Sequence, residues 1–306
     1  MDQRTCHELS QLLDHKRWKS YPTKLRAFWW ILTFLYSPLG IVLCLVRLLT
    51  LIIFLTCALL LLPRSWSRSL AVQIIFPILG WRITVKHQEE LERAFDEHRF
   101  FVLCLNHVSY LDSVMLLSLF HTVDKARVSL LASTLMGGET QWELLKRAGL
   151  LYETVYTRGT AASSSDKLKT REDIYHLIQS SEQVNPAKPL AIFPEGQVHN
   201  CDRGLLRYEK FCFGLGYPVV PIALTLRNHW PVNLWVVGER QAASWFYLLF
   251  FPWFQWDFEI LSTIVADQGS SDLEIAQKAQ EQTAQALNVT ATQISLSEIA
   301  EYLNLP

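Results

Sequence analysis

The longest apolar run in the chain, AFWWILTFLYSPLGIVLCLVRLLTLIIFLTCALLLLP from Ala27 to Pro63, is broken only by Ser37–Gly40 (Ser-Pro-Leu-Gly) and by Arg47. A helix crosses a hydrocarbon core with about 20 apolar residues, so this run is longer than one span needs. The long charged tail before it excludes a cleavable signal peptide. Two arrangements are open: one span from about Ile41 to Leu62 with Arg47 snorkelling, or a hairpin bending at Pro38/Gly40 or near Arg47. Lys16, Arg17, Lys19, Lys24 and Arg26 precede the run, and Arg64, Arg68 and Arg82 follow it. The positive-inside rule then puts both flanks in the cytosol, which a hairpin satisfies and a single span does not.

Beyond Pro63 the pattern changes to short apolar runs separated by amphipathic stretches. Strands are expected around Trp81–Lys86, in RFFVLCLN, near Val128–Ala132 and Tyr152–Tyr156, and in PLAIFPEG, YPVVPIAL and VNLWVV. Helical spacing appears in YLDSVMLLSLFHT, near Gln141–Arg147, over Asp166–Ser180, and in SDLEIAQKAQEQTAQAL, which opens on the capping box Ser271-x-x-Glu274. A short helix near Ser297–Leu303 follows. Strands alternating with helices predict an α/β sheet domain with flanking helices. The expected division is a cytosolic tail (1–27), a membrane hairpin anchor (28–63), a sheet domain (64–261) and a C-terminal helical tail (262–306). The aromatic stretch SWFYLLFFPWFQWDF, Ser244–Phe258, is too short to span; it suits either the headgroup boundary or the core.

Composition narrows the function classes. Half of the residues are hydrophobic, enough for a sizeable core and too many for a disordered chain. With 28 Lys and Arg against 29 Asp and Glu, and no basic block, a nucleic-acid partner is not expected. Six cysteines are scattered without Cys-x-x-Cys or His-x-x-x-His spacing, so neither a disulfide framework nor a metal is expected, and a reduced, cytosol-facing setting fits.

The candidate chemistry lies where two apolar runs stop. LNHVSYLDSV places His107 and Asp112 five positions apart. On one regular helix they would be about 140° apart in projection and could not meet. If instead the strand ends at Asn106 and a helix starts near Ser109, Asp112 in the first turn reaches back to His107, fixes its tautomer and makes it a general base. Ser109-x-x-Asp112 is also a capping box, which accounts for the same residues without chemistry. LAIFPEGQVHN ends equally abruptly, on Pro194, Glu195 and Gly196. The two ends would share one sheet edge if their strands are parallel neighbours, where α/β folds place ligands.

Asn106-His107-x-x-x-x-Asp112, then VYTRG with Arg158, then Phe193-Pro194-Glu195-Gly196, then VVPIAL with Pro221, resemble the ordered blocks of the glycerolipid acyltransferase superfamily. The resemblance covers roughly Trp81 to Leu261 and implies a glycerol-phosphate-acyltransferase-like fold. It also implies acyl transfer from acyl-coenzyme A to a lipid hydroxyl, with no bound cofactor or metal. By the same resemblance His107 is the base, Asp112 orients it, and Arg158, Glu195 and Gly196 position the acceptor. Asn106, Phe193, Pro194 and Pro221 support them. Gln197, Val198 and His199 stand where members acting on small phosphorylated acceptors usually carry Thr-Arg-Ser, so the lysophospholipid branch is nearer. YSPLGIVLCLVRLLT, GLLRYEKFCF and FYLLFFPWFQW resemble a narrower group, the ancient ubiquitous protein of the endoplasmic reticulum and lipid droplets. That resemblance implies those membranes as partners and location, with the catalytic domain facing the cytosol, and, by resemblance only, ubiquitin-pathway proteins. Members usually continue into a CUE module, which is not expected here. The alternative to an enzyme is a non-catalytic scaffold at these membranes.

Overall fold

A computed structural model describes residues 3–13, 21–123, 129–133, 139–150, 153–157, 172, 176, 189–228, 230, 241–266 and 269–303. Among the described residues seven strands form one sheet: β1 Trp81–Lys86, β2 Val102–Leu105, β3 Ser129–Ser133, β4 Glu153–Thr157, β5 Leu190–Ile192, β6 Val219–Arg227 and β7 Phe254–Ile260. Their order is β1-β7-β6-β2-β5-β3-β4. All neighbours run parallel except β6 and β7. β2 and β5 are buried at every position, as continuous apolar runs at the centre of a sheet covered on both faces should be. The expected strand in VNLWVV and the site residue Arg158 lie outside the described residues. So does the helix over Asp166–Ser180, apart from residues 172 and 176, which are helical.

Helices flank the sheet: α1 Gln3–Leu12, α2 Thr23–Leu60, α3 Arg64–Leu70, α4 Phe76–Leu79, α5 Gln88–Glu97, α6 Asp112–Val123, α7 Glu139–Arg147, α8 Gln241–Phe250, α9 Asp272–Leu287 and α10 Leu296–Tyr302. A π-helical turn, Ala71–Ile75, joins α3 to α4.

The expected hairpin is replaced by one continuous helix, α2, about 57 Å long at 1.5 Å per residue. Pro38 lies inside it and cannot bond the carbonyl of Phe34; the Ser37 hydroxyl donates to that oxygen at 2.8 Å instead. Nor does Arg47 snorkel. Its guanidinium is buried and donates to the carbonyls of Ile78 (3.3 Å), Leu249 (3.0 Å), Phe251 (2.5 Å) and Pro252 (2.5 Å). It thereby satisfies the free carbonyls at the end of α8, as a cation at a helix C-terminus does. A stripe of α2 follows the same side: Trp29 stacks edge-on to Trp230, the Tyr36 hydroxyl donates to the Phe250 carbonyl at 2.8 Å, and Phe54 and Ala58 join the main core. Gly40 completes the contact, since a Cβ there would stand 2.6 Å from the Phe250 ring.

The aromatic stretch divides in two. Its first half is α8, packed on α2, and its second half is β7, whose Phe254, Trp256 and Phe258 are fully buried. The C-terminal helices are part of the same body. The capping box at Ser271 and Glu274 forms as expected, and the buried face of α9 (Ile275, Ala276, Ala279) packs with β2, β5 and β6 residues. α1 lies against α10, with Leu9, Leu12, Leu206, Ile294 and Ile299 forming a small core of their own.

Candidate active site

β2 and β5 are parallel neighbours, so the loops after them leave the same sheet edge. His107 and Asp112 follow β2; Phe193, Pro194, Glu195 and Gly196 follow β5. The edge is drawn tight by Asn106, whose buried carboxamide donates to the Leu224 carbonyl at 2.9 Å and accepts from the Leu224 N–H at 2.7 Å. In effect a side chain adds one rung to the β2–β6 ladder beyond its last backbone pair.

His107 Nδ1 lies 2.9 Å from Asp112 Oδ2. The same oxygen accepts from the N–H groups of Val108 (2.7 Å) and Ser109 (2.8 Å), while Oδ1 accepts from the Ser109 hydroxyl (2.5 Å) and Trp256 Nε1 (3.3 Å). One carboxylate therefore caps the start of α6 and contacts the histidine, the geometry that each of the two readings of this stretch requires. Asp112 accepts from the Nδ1–H of His107, the tautomer that places the lone pair on Nε2. Asp112 has no exposed surface, whereas the His107 side chain is 19% exposed. The imidazole also stacks on Phe193, with centroids 4.4 Å apart and planes at 24°.

Glu195 differs from its expected role at the acceptor. Its carboxyl group is fully buried, and its oxygens accept from the backbone N–H groups of His107 (2.8 Å) and Leu206 (3.1 Å). It positions the His107 peptide from behind. Burial, with the Asp112 charge adding to it, pushes its pKa well above the usual glutamate range. His199 is also fully buried, with Nε2 3.0 Å from the Gly204 carbonyl and 3.3 Å from Glu195 Oε1. Burial lowers its pKa to about 4, so the imidazole stays neutral. The Cys201 thiol, 3.6 Å from the His107 carbonyl, completes this backing. Donor atoms of Glu195, His199 and Cys201 lie within 4.8 Å of one another, the converging donor set among the described residues. Each is engaged in these hydrogen bonds, so the set reads as a polar network supporting a loop.

Gly196 takes φ +67°, the left-handed conformation a turn needs there, and its N–H bonds the Phe193 carbonyl at 3.0 Å. Pro194 accepts from the Glu209 N–H at 2.9 Å. Pro221, beside Cys104 in the sheet, lies one residue before the β6–β7 ladder begins, and its carbonyl takes the Leu261 N–H at 2.9 Å. Trp256 and Cys201 escaped the sequence reading. Trp256 bonds Asp112 from 144 residues away, and no local pattern marks such a pair.

Residues 82–225 match the family model described as Acyltransferase. The chain is similar to the lipid droplet-regulating VLDL assembly factor AUP1 of Xenopus tropicalis, 28% identical over 281 residues, covering 89% of this chain and 60% of that protein. The AUP1 of Xenopus laevis is 26% identical over 297 residues, covering 96% and 65%, and that of Homo sapiens is 26% identical over 279 residues, covering 90% and 60%. The chain thus spans about three fifths of the length of these relatives. Among solved structures, the 1-acyl-sn-glycerophosphate (LPA) acyltransferase PlsC of Thermotoga maritima superposes with a TM-score of 0.51 at 16% identity, covering 83% of this chain and 96% of that one. At that identity the likeness concerns the fold. Together the matches link the chain to the glycerolipid acyltransferase superfamily and to AUP1-like proteins.

Proposed function

We propose that this protein is a membrane-associated acyltransferase that moves an acyl chain from acyl-coenzyme A to the hydroxyl of a lysophospholipid or glycerolipid, at the endoplasmic reticulum or lipid droplets. The observation that carries the reading is the His107–Asp112 pair: a buried, multiply bonded carboxylate behind a partly exposed imidazole. The acyltransferase family match and the PlsC-like fold support it. His107 Nε2 takes the acceptor's hydroxyl proton as that oxygen attacks the thioester carbonyl. The tetrahedral intermediate then expels the thiolate, which recovers the proton from the imidazolium. Asp112 stabilises the imidazolium in between. Gly196, at the turn beside the ring, and Arg158 are assigned to the acceptor headgroup. The reaction needs no metal or bound cofactor.

A second reading, a scaffold without catalysis, is favoured by the relatives' printed name, which speaks of lipid-droplet regulation and lipoprotein assembly. On that reading the chain gathers partners, ubiquitin-pathway proteins included, at the same membranes. The test is acyl transfer by purified, detergent-solubilised protein from labelled acyl-coenzyme A to a panel of lysophospholipids and glycerol phosphate, beside His107→Ala. Transfer that falls by 10²-fold or more in the variant, on the order expected for a general base, is the expected result and names the acceptor. Equal background signals in both proteins decide for the scaffold.

A further inference from the structure

The turn that carries Gly196 is touched by a residue from the far end of the chain. A Cβ on Gly196 would stand 2.9 Å from Leu296 Cδ2, so a Leu296 methyl lies over the Gly196 Cα. Leu296 is the first residue of α10, outside the stretch 82–225 that matches the acyltransferase family model.

Backbone pairing sets its position. The Leu205 N–H bonds the Thr290 carbonyl at 2.9 Å, the Thr292 N–H bonds the Leu205 carbonyl at 2.9 Å, and the Arg207 N–H bonds the Ile294 carbonyl at 2.8 Å. The Gln280 carboxamide ties the same two segments, donating to the carbonyls of Leu206 and Thr292 at 2.8 Å each. Leu206 in turn holds the Glu195 carboxyl group through its N–H. The segment that delivers Leu296 is therefore fixed to the segment that fixes the Glu195–Gly196 turn. Ile294 and Ile299, on either side of Leu296, are buried with Leu206, and the capping box of Ser295 and Glu298 sets the start of α10.

Exposure shows which side of the turn a ligand can reach. Within residues 194–200 only Gly196 keeps open surface, and its neighbours on both sides are buried. Leu296 is partly exposed beside it. So is Phe193, which stacks on His107 and accepts the Gly196 N–H. A headgroup that extends from His107 past Phe193 to Gly196 thus meets an isobutyl group. No Lys or Arg lies in residues 193–200, and His199 is buried and neutral, so this turn offers no cation to a phosphate.

We propose that Leu296 is a specificity-determining residue for the acceptor, favouring a phosphodiester headgroup that ends in apolar groups, such as phosphocholine, over a bare phosphomonoester. This rests on the acyltransferase reading above and narrows its acceptor. A phosphomonoester pressed against the isobutyl group gives up water and gains no partner. The methyl groups of a choline gain close contact there instead.

The test compares lysophosphatidylcholine and lysophosphatidate of one acyl chain as acceptors from labelled oleoyl-coenzyme A, with the full chain in detergent, as wild type, Leu296→Ala and Leu296→Arg. Leu296→Ala should raise KM for lysophosphatidylcholine about tenfold or more, with kcat and the lysophosphatidate KM unchanged within about twofold. Leu296→Arg, which supplies a cation at the same place, should reverse the wild-type preference. Equal losses on both acceptors, or none, overturn the inference and leave the acyltransferase reading standing, as does a wild-type preference for lysophosphatidate. No transfer by the wild type to either acceptor overturns both.

Discussion

Two buried groups, Glu195 and His199, make the pH response of the fold specific. The folded pair is neutral, with one proton on Glu195 and none added to His199, because burial raises the one and lowers the other. Unfolded, their usual values are 4.5 and 6.5, so between those pH values the unfolded chain also holds one proton, on the histidine. The pair then contributes no slope in this window. Below pH 4.5 the unfolded state binds more protons and stability falls with acidification towards the folded His199 value near 4. Above pH 6.5 the folded state binds more, and stability falls as pH rises towards the elevated Glu195 value. Glu195→Gln leaves His199 alone, so relative to wild type its thermal midpoint in detergent should drop on acidification from about pH 6.5 downward; parallel curves would refute the pairing. Arg47 makes a second residue-scale prediction. Arg47→Met leaves four carbonyls without their donor and should cost about 3 kcal/mol or more. Val46→Met on the exposed side of α2 should stay within about 0.5 kcal/mol, both read from thermal unfolding. The dyad was legible because His107 and Asp112 are five residues apart, and the strand–turn–helix that joins them is written in the same ten letters. The occupants of Glu195 were not, because His107 N–H and Leu206 N–H reach it through the adjacency of β2 and β5.

Elements were legible where the apolar period is clean, as in β2, β5 and the capped α9. α2 shows what period and punctuation leave open. Ser-Pro-Leu-Gly and Arg47 look like interruptions, and in a free segment they would be. Here Ser37 replaces the bond that Pro38 removes, Gly40 admits the Phe250 ring, and Arg47 has four acceptors on other elements. Gly40 and Arg47 serve tertiary contacts, which an isolated reading of residues 27–63 cannot contain, and the Pro38 break is absorbed by a local bond. If Pro38 marked a hairpin bend, Pro38→Ala would disturb the anchor. For a continuous helix the substitution should leave vesicle binding unchanged and raise stability by about 1–3 kcal/mol, measured by flotation and thermal unfolding. The aromatic stretch had two readings because it contains two elements: α8 keeps Trp245 and Phe246 outward, and β7 buries Phe254, Trp256 and Phe258.

Across the whole molecule, the expected separate tails prove to be parts of one frame. α1 and α10 close over the loop that follows β5: the Asn200 N–H bonds the Leu12 carbonyl at 2.8 Å, and Leu206 is buried with Leu9, Leu12 and Ile299. Removing residues 1–13 should speed hydrogen exchange at the Asn200 amide about tenfold or more while β7 amides keep their protection; unchanged exchange at Asn200 would separate α1 from the loop. No local signal announces such a contact, since an amphipathic ten-residue helix is polar enough to stand alone in a sequence reading. The meeting of α1 with α10 also sets an order of events during synthesis. α1 is made before any of its partners, and at about 5–20 residues per second Ile294 and Ile299 follow it by roughly 15–60 s. α2 is finished near the start of that interval, and the cover of the loop beneath His107 only at its close. Each new chain thus has its longest helix complete long before the contacts that hold the loop beneath His107 can form.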